Sequence, residues 1–185
     1  SYEARHFGVR SAMPISQAWR LCPHGVYLPG RMGAYAQVSR QVNRILEEFT
    51  PVIEPVGIDE SFLDVTDSLH LFGGKREIAL AIQRRVLEVT QLTASLGVAP
   101  SKLVAKIASD LRKPRGLVIV EPEEVESFLR PLPMRKLWGA GPKTCEALEE
   151  IGIRTIGDLA DYDPAALKER FGKQGEYLWE LAHGR

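Results

Sequence analysis

The stretch Ile58-Asp59-Glu60-Ser61-Phe62-Leu63-Asp64-Val65 places two adjacent carboxylates at the start of an extended, apolar segment. The preceding residues 51–57, Pro-Val-Ile-Glu-Pro-Val-Gly, are also extended in character, and residues 66–68, Thr-Asp-Ser, are a turn signal. Two extended segments that flank an acidic pair predict a β-hairpin with Asp59 and Glu60 at or near its tip.

The acidic pair has two possible interpretations. Neighbouring residues of a strand face opposite sides, so Asp59 and Glu60 converge only where the backbone turns. Two ionised carboxylates held close together repel each other unless a cation or a proton lies between them. Mg²⁺ takes few carboxylates and completes its shell with waters or substrate phosphates. The pair therefore forms either a metal site for phosphate transfer or an ordinary solvated turn.

The composition is that of a globular protein of 185 residues with no formal net charge. Residues 1–120 hold 15 Lys and Arg against 11 Asp and Glu, whereas residues 121–185 hold 9 against 13. The net positive charge of the first part favours binding to a polyanion, whereas the second part, with its net negative charge, would need specific contacts to bind one. Cys22 and Cys145 form no disulfide framework, and membrane-spanning and signal-peptide patterns are absent. We expect a cytoplasmic protein with no membrane partner.

Hydrophobic periodicity and helix-breaking residues predict the remaining elements. Helices are expected over 2–7, 15–21, 35–49, around 78–89, and from Ser101 as N-cap to about residue 113; strands are expected over 93–99 and 116–120. The order from residue 51 to 120 predicts an α+β layer in which helices back an antiparallel sheet. Trp19 and Trp179 are expected to anchor the core.

Two groups of residues can bind anions. Tyr2 and Arg5 share a helix face and can grip a phosphate, or they form an exposed helical turn with a stacked arginine. Lys113 lies with Arg112 and Arg115 at a helix-to-strand turn, where the basic cluster either meets a ligand or complements the helix dipole.

Residues 137–144 read Leu-Trp-Gly-Ala-Gly-Pro-Lys-Thr and are followed by a second glycine turn at Gly152. The glycines let backbone N–H groups approach a phosphate at a helix N-terminus, and Lys143 adds charge. The pattern of helix, Gly-x-Gly turn, helix and second glycine turn predicts an all-α helix-hairpin-helix that binds nucleic-acid backbone. A glycine-capped helical hairpin without a ligand is the alternative.

Four stretches together resemble the Y-family, or lesion-bypass, DNA polymerases, and are most similar to their bacterial DNA polymerase IV branch. These stretches are residues 1–14, 58–64, 101–116 and 137–144, and their order and spacing match across essentially the whole chain. The resemblance implies partial fingers over residues 1–31, a palm lacking its first strand over 32–120, and a thumb with the helix-hairpin-helix over 121–185.

The resemblance also implies roles for individual residues. Asp59 and Glu60 would be catalytic, as two of the three carboxylates that bind two Mg²⁺ ions. The triphosphate-binding positions of the family match Tyr2, Arg5 and Lys113, and Ala12 matches a small residue that roofs the templating base. In the thumb, the residues that would bind DNA backbone are Gly139, Gly141, Lys143 and Thr144.

The implied activity is translesion DNA synthesis, in which dNTPs are added to a primer 3′-hydroxyl by two-metal phosphoryl transfer. Primer-template DNA and dNTPs are the expected partners, together with a sliding clamp bound through a C-terminal segment absent from this chain. The third metal aspartate and the residue that excludes ribonucleotides would lie upstream of Ser1. The chain by itself is therefore expected to be an incomplete catalytic core that polymerises barely or not at all.

Two other hypotheses remain. A non-catalytic helix-hairpin-helix protein would bind DNA and leave the acidic hairpin without a role, but it does not explain Tyr2, Arg5 and Lys113. A template-independent enzyme with a palm-like fold, such as a nucleotidyl cyclase, does not explain residues 137–158.

Overall fold

The computed structural model describes all 185 residues and divides them into two compact units, residues 1–35 and 36–185. The first unit contains helices α1 (Tyr2–His6) and α2 (Ile15–Leu21) and the start of α3 (Met32–Glu47). Its buried side chains are Ala18 and Cys22. Trp19, expected in the core, is 58% exposed, so that prediction is wrong.

The second unit holds the strands and the remaining helices. In chain order they are β1 (Ile53–Pro55), β2 (Ser61–Leu63), α4 (Leu69–Phe72), α5 (Lys75–Thr90), β3 (Leu96–Val98), α6 (Lys102–Leu111), β4 (Leu117–Ile119), α7 (Val125–Leu129), α8 (Pro142–Glu149), α9 (Ile156–Ala160), α10 (Pro164–Phe171) and α11 (Lys173–Ala182). The molecule is thus a mixed α and β protein, and none of its helices combines the length and apolarity needed to cross a membrane.

The strands form two separate two-stranded sheets, which corrects the expectation of one antiparallel sheet. β1 and β2 pair antiparallel, with Glu54 opposite Phe62, and they form the predicted hairpin. β3 and β4 pair parallel, with Gly97 opposite Val118. The reason is the connection: α6 carries the chain back along the sheet, so β4 starts at the same end as β3.

Two apolar cores hold the second unit together. One lies among α3, α5 and the hairpin and includes Ile45, Phe49 and Ile82. The other lies among α6, β4 and the helices after residue 120, and it includes Val104, Leu148 and Leu178. The apolar face of α6 therefore packs into the C-terminal helices, and its polar face is left for the hairpin.

α6 begins where the sequence predicts, with the Ser101 hydroxyl accepting from the Val104 N–H at 3.4 Å. β3 runs directly beneath it. A Cβ built on Gly97 would lie 2.1 Å from the Ala105 carbonyl oxygen and 2.6 Å from the Ser109 nitrogen. The glycine in β3 therefore sets how closely strand and helix approach.

The segment after residue 130 begins differently from the prediction. A single 3₁₀ turn, Met134–Lys136, stands where a helix was expected before the glycine-rich turn. Pro133 and Pro131 limit regular helix there, because proline disfavours α geometry in the residue before it. α8 then starts with Gly141 as N-cap and Pro142 in its first turn, and Gly152 takes a φ of +87° after its end.

A capping box fixes the start of α9. The Asp158 carboxylate accepts from the N–H groups of Arg154 (3.0 Å) and Thr155 (2.8 Å), and the Thr155 hydroxyl accepts from the Asp158 N–H at 3.0 Å. These backbone donors lower the pKa of Asp158. The box therefore holds the turn after Gly152 best while this carboxylate is ionised.

Candidate active site and nucleic-acid interface

The acidic pair lies in the tight turn between β1 and β2. The Glu60 carbonyl accepts from the N–H of Val56 at 2.9 Å and from that of Gly57 at 3.3 Å, which closes the turn around Asp59. Asp59 is exposed, and a Cβ added to Gly57 would lie 3.8 Å from its Oδ1. The local sequence folds this way because extended residues flank a glycine-containing segment too short for anything but a turn.

Two contacts anchor β2 to the rest of the unit. The Ser61 hydroxyl donates to Asn43 Oδ1 of α3 at 3.3 Å. At the far end of the strand, the Asp64 carbonyl accepts from the Thr50 hydroxyl at 2.6 Å. Asp64 Oδ1 also accepts from the Thr66 N–H at 3.0 Å, and this second bond lowers the pKa of Asp64. The turn that carries Asp59 and Glu60 is thus built on a strand fixed at both ends.

Lysines of α6 bind the carboxylates on one face of the hairpin. Lys106 Nζ forms an ion pair with Glu60 Oε1, and Lys102 Nζ forms one with Glu54 Oε2. The Lys106 side chain is 24% exposed and that of Glu60 40%, so the Lys106–Glu60 pair is less accessible than the pair of Lys102 and Glu54. The sequence placed both lysines on one helix face four residues apart, but gave no signal for their partners, which lie 46 and 48 residues away.

The donor set at the turn fits a hard divalent cation. Asp59 and Glu60 offer carboxylate oxygens, and Mg²⁺ is typically bound by one or two carboxylates while waters and substrate phosphates complete its shell. Lys106 contacts Oε1 of Glu60, and a carboxylate has lone pairs for more than one partner. Nowhere in the 185 residues do three or more His, Cys, Asp or Glu side chains cluster as a metal site.

In the first unit, Arg5 stacks over the Tyr2 ring with its guanidinium carbon 5.6 Å from the ring centroid. Both side chains are exposed, and Gly8 with a φ of +84° ends the helical turn that carries them. Ala12 is exposed with a φ of +62°, a left-handed conformation that is uncommon for a residue with a Cβ. These three residues are therefore available to a ligand.

Lys113 follows the end of α6 and forms an ion pair with Asp110 at 2.5 Å. Arg112 and Arg115, its neighbours in the basic cluster, are both exposed, and Arg115 has a φ of +60°. α6 therefore carries Lys106 in its middle, bound to the hairpin, and the basic cluster beyond its C-terminal end.

The glycine-rich turn at residues 139–141 is accessible from solvent. Gly139 has a φ of +88°, and its carbonyl accepts from Gln174 Nε2 of α11 at 3.4 Å. A Cβ added to Gly141 would meet nothing within 4 Å, so open space lies above this backbone. Lys143 is exposed in the first turn of α8, and Thr144 beside it is half-buried. Behind the turn, burial raises the pKa of the Cys145 thiol.

The chain resembles known proteins along its whole length. A family model described as the impB/mucB/samB family matches residues 1–110. The chain is 50% identical over 184 residues to DNA polymerase IV of Salmonella typhimurium and 48% identical over 184 residues to DNA polymerase IV of Desulfatibacillum aliphaticivorans. Both alignments cover 100% of this chain, and they cover 52% and 46% of those relatives.

Solved structures match the same extent of the chain. The crystal structure of DinB from Sulfolobus solfataricus superposes with a TM-score of 0.92 at 35% identity, over 100% of this chain and 55% of that one. An insertion ternary complex of Dbh DNA polymerase gives a TM-score of 0.90 at 35% identity, over 100% and 54%. The chain thus spans about half the length of the proteins that it matches.

Proposed function

Since the chain belongs to the impB/mucB/samB family, which comprises the Y-family DNA polymerases, we propose that it is part of a translesion DNA polymerase. The observation that supports the proposal is the turn between β1 and β2, which carries the consecutive residues Asp59 and Glu60 and in which Lys106 forms an ion pair with Glu60. The reaction is the template-directed addition of dNTPs to a primer 3′-hydroxyl.

The three parts of the chain are assigned as the resemblance implies. Residues 1–31 form part of the fingers, 32–120 the palm, and 121–185 a thumb whose helix-hairpin-helix is built around Gly139–Gly141 and α8. Primer-template DNA and dNTPs are the substrates. A sliding clamp is a partner of the larger protein, which works in the cytoplasm.

Asp59 and Glu60 are the candidate Mg²⁺ ligands. When bound, Mg²⁺ stabilises the negative charge that develops on the attacking and leaving oxygens of phosphoryl transfer. Asp59 supplies an exposed carboxylate to the site. Glu60 supplies a second carboxylate whose orientation is fixed by Lys106, as carboxylate ligands are commonly oriented by a hydrogen-bonded neighbour.

The triphosphate is assigned to Tyr2, Arg5 and Lys113. Arg5 offers forked N–H donors that match a phosphate. Because its side chain already stacks on Tyr2, it loses less conformational entropy when it binds. Lys113 offers a compact positive charge, and on nucleotide binding its ammonium group contacts a phosphate oxygen in place of the Asp110 carboxylate. Ala12 roofs the templating base, where a methyl side chain leaves room for a damaged base.

The DNA backbone is assigned to the turn at Gly139–Gly141 and the start of α8. Backbone N–H groups and the helix N-terminus favour a phosphate without reading its sequence, as a polymerase requires. Lys143 adds a charge, and the hydroxyl of Thr144 is a further donor. This mode of binding suits a segment with more Asp and Glu than Lys and Arg.

Primer extension tests the proposal most directly. The 185-residue chain alone should extend a primer barely or not at all, because no third acidic side chain clusters with Asp59 and Glu60 and the chain spans half of its relatives. A chimera in which this chain replaces the matched 184 residues of the Salmonella typhimurium enzyme should extend primers on undamaged and abasic templates with Mg²⁺. Robust extension by the chain alone would refute the incomplete-core interpretation, and a folded but inactive chimera would refute the polymerase assignment.

Replacing Gly141 by Leu should weaken the binding of primer-template DNA by the chain about tenfold, the cost of losing one charge-assisted backbone contact. The side chain would project into open space, so the fold tolerates it while phosphate is kept away from the backbone. Fluorescence anisotropy with labelled DNA at low salt measures the change.

Gly33→Leu is the matched control, because Gly33 also has no neighbour within 4 Å and lies in the first turns of α3. It should leave DNA affinity within twofold. Equal affinities for the two variants would show that the turn at Gly139–Gly141 does not contact DNA.

A further inference from the structure

Trp138 is an exposed aromatic residue with no role in the assignments above. It follows Leu137, which is 2% exposed in the C-terminal core, and precedes Gly139 with its left-handed backbone. Leu137 is extended, with φ −72° and ψ 125°, and Trp138 begins the turn that leads to Gly139, so the two side chains separate into the core and the solvent. Trp138 is 48% exposed, so one side of its ring is open to a ligand.

The Trp138 ring is held in place from one side. It packs on Phe62 of β2 with ring centroids 6.3 Å apart and planes tilted by 45°, a favourable geometry for an aromatic pair. Lys102 Nζ lies 5.8 Å from the centroid of the same Phe62 ring. Trp138 is therefore a pre-oriented ring rather than a freely rotating one.

The Phe62–Trp138 contact joins the two proposed functional segments. Phe62 is two residues after Glu60 and lies on the same face of the hairpin, whereas Trp138 immediately precedes the turn at Gly139–Gly141. A DNA strand that is held by that turn and ends at Asp59 and Glu60 would pass from one member of this aromatic pair to the other.

We propose that Trp138 is a DNA-contacting residue, whose exposed ring packs against deoxyribose of the strand running between the glycine-rich turn and the acidic turn. This inference rests on the proposed polymerase function and adds a contact of a different chemistry to it. Contact with the sugar carries no direct sequence information, so it suits a surface along which any sequence must move.

The test compares Trp138→Ala, Trp138→Phe and Lys143→Ala in the 185-residue chain by anisotropy of labelled primer-template DNA over a range of salt concentrations. Trp138→Ala should weaken binding about tenfold, because the apolar contact of one large ring is lost. It should not change the dependence of affinity on salt, because no phosphate contact is lost. Lys143→Ala should instead reduce that salt slope by about one, and Trp138→Phe should restore most of the affinity.

Indole fluorescence gives a second readout that keeps the ring intact. In the Trp19→Phe background the remaining indoles are Trp138 and the half-buried Trp179, whose Nε1 donates to the Tyr162 carbonyl at 3.1 Å. Adding primer-template DNA should quench this emission, and the quenching should disappear when Trp138 is also replaced by Phe. Heparin, a polyanion without deoxyribose, should not quench it.

The outcomes separate this inference from the proposed function. DNA affinity within twofold of the parent for Trp138→Ala, together with weakened binding for Lys143→Ala, would overturn the role of Trp138 and leave the DNA-binding turn standing. A lowered salt slope in Trp138→Ala would also overturn it, since the substitution would then act by distorting the turn. A folded parent chain that does not bind primer-template DNA would overturn both.

Discussion

Replacing Asp59 by Asn should lower Mg²⁺-dependent primer extension by the chimera at least about a hundredfold, while its affinity for primer-template DNA stays within twofold of the parent. Asn keeps the shape of the side chain and removes the negative charge that binds the cation. The lost interaction is stronger in the transition state, where charge develops on the reacting oxygens, so the rate falls and DNA binding does not.

Single-turnover extension at saturating DNA measures the rate, and anisotropy measures the affinity. Asp67→Asn is the matched control, because Asp67 is another exposed aspartate close in sequence that forms no ion pair in the structure. It should leave both quantities unchanged. If the chimera with Asp59→Asn extends primers at the parent rate, the acidic turn is an ordinary solvated turn. The non-catalytic DNA-binding hypothesis would then replace the polymerase hypothesis.

Elements with strong local signals were predictable from the sequence. The hairpin follows from extended segments on both sides of a turn, and α6 follows from Ser101 as N-cap and Pro114 as terminator. α2 occupies the expected residues 15–21. In each case the residues that decide the structure lie within a few positions of one another, where propensity and capping act.

Features that depend on distant partners were not predictable. Whether β3 pairs parallel or antiparallel with β4 depends on how α6 crosses the sheet, which periodicity does not report. Trp19 was mispredicted for the same reason. Its residue type favours burial, but burial requires another element to cover the ring, and the ring is exposed in the structure.

The candidate site contains features of both kinds, some predictable from local sequence and some dependent on distant partners. The adjacent carboxylates are visible in the sequence, and so is the helix that carries Lys102 and Lys106 with a spacing of four. Their pairing with Glu54 and Glu60 depends on α6 lying across the hairpin, a contact between segments more than 40 residues apart. The assigned roles of Tyr2, Arg5, Ala12 and Lys113 stay predictions that substitution at each position can test.

Replacing Gly97 by Ala should lower the free energy of unfolding by about 3 kcal/mol or more, at the upper end for overpacking a core. The added methyl group would lie 2.1 Å from the Ala105 carbonyl oxygen and 2.6 Å from the Ser109 nitrogen. Both atoms belong to the backbone of α6, so no side-chain rotation relieves the overlap and the helix must move away from β3. Urea unfolding followed by circular dichroism measures the loss, and a normal stability would show that α6 is not held this closely.

Gly57→Ala is the control, because its added methyl group would come no closer than 3.8 Å to another group, and we expect its stability to change by less than about 0.5 kcal/mol. The comparison also connects stability to the site. Lys102 and Lys106 reach Glu54 and Glu60 only because α6 lies against β3 on one side and the C-terminal core on another. A Gly97→Ala protein that still folds should therefore hold Glu60 less firmly. In the chimera it should extend primers more slowly, although the substitution removes no group from the acidic turn or the glycine-rich turn.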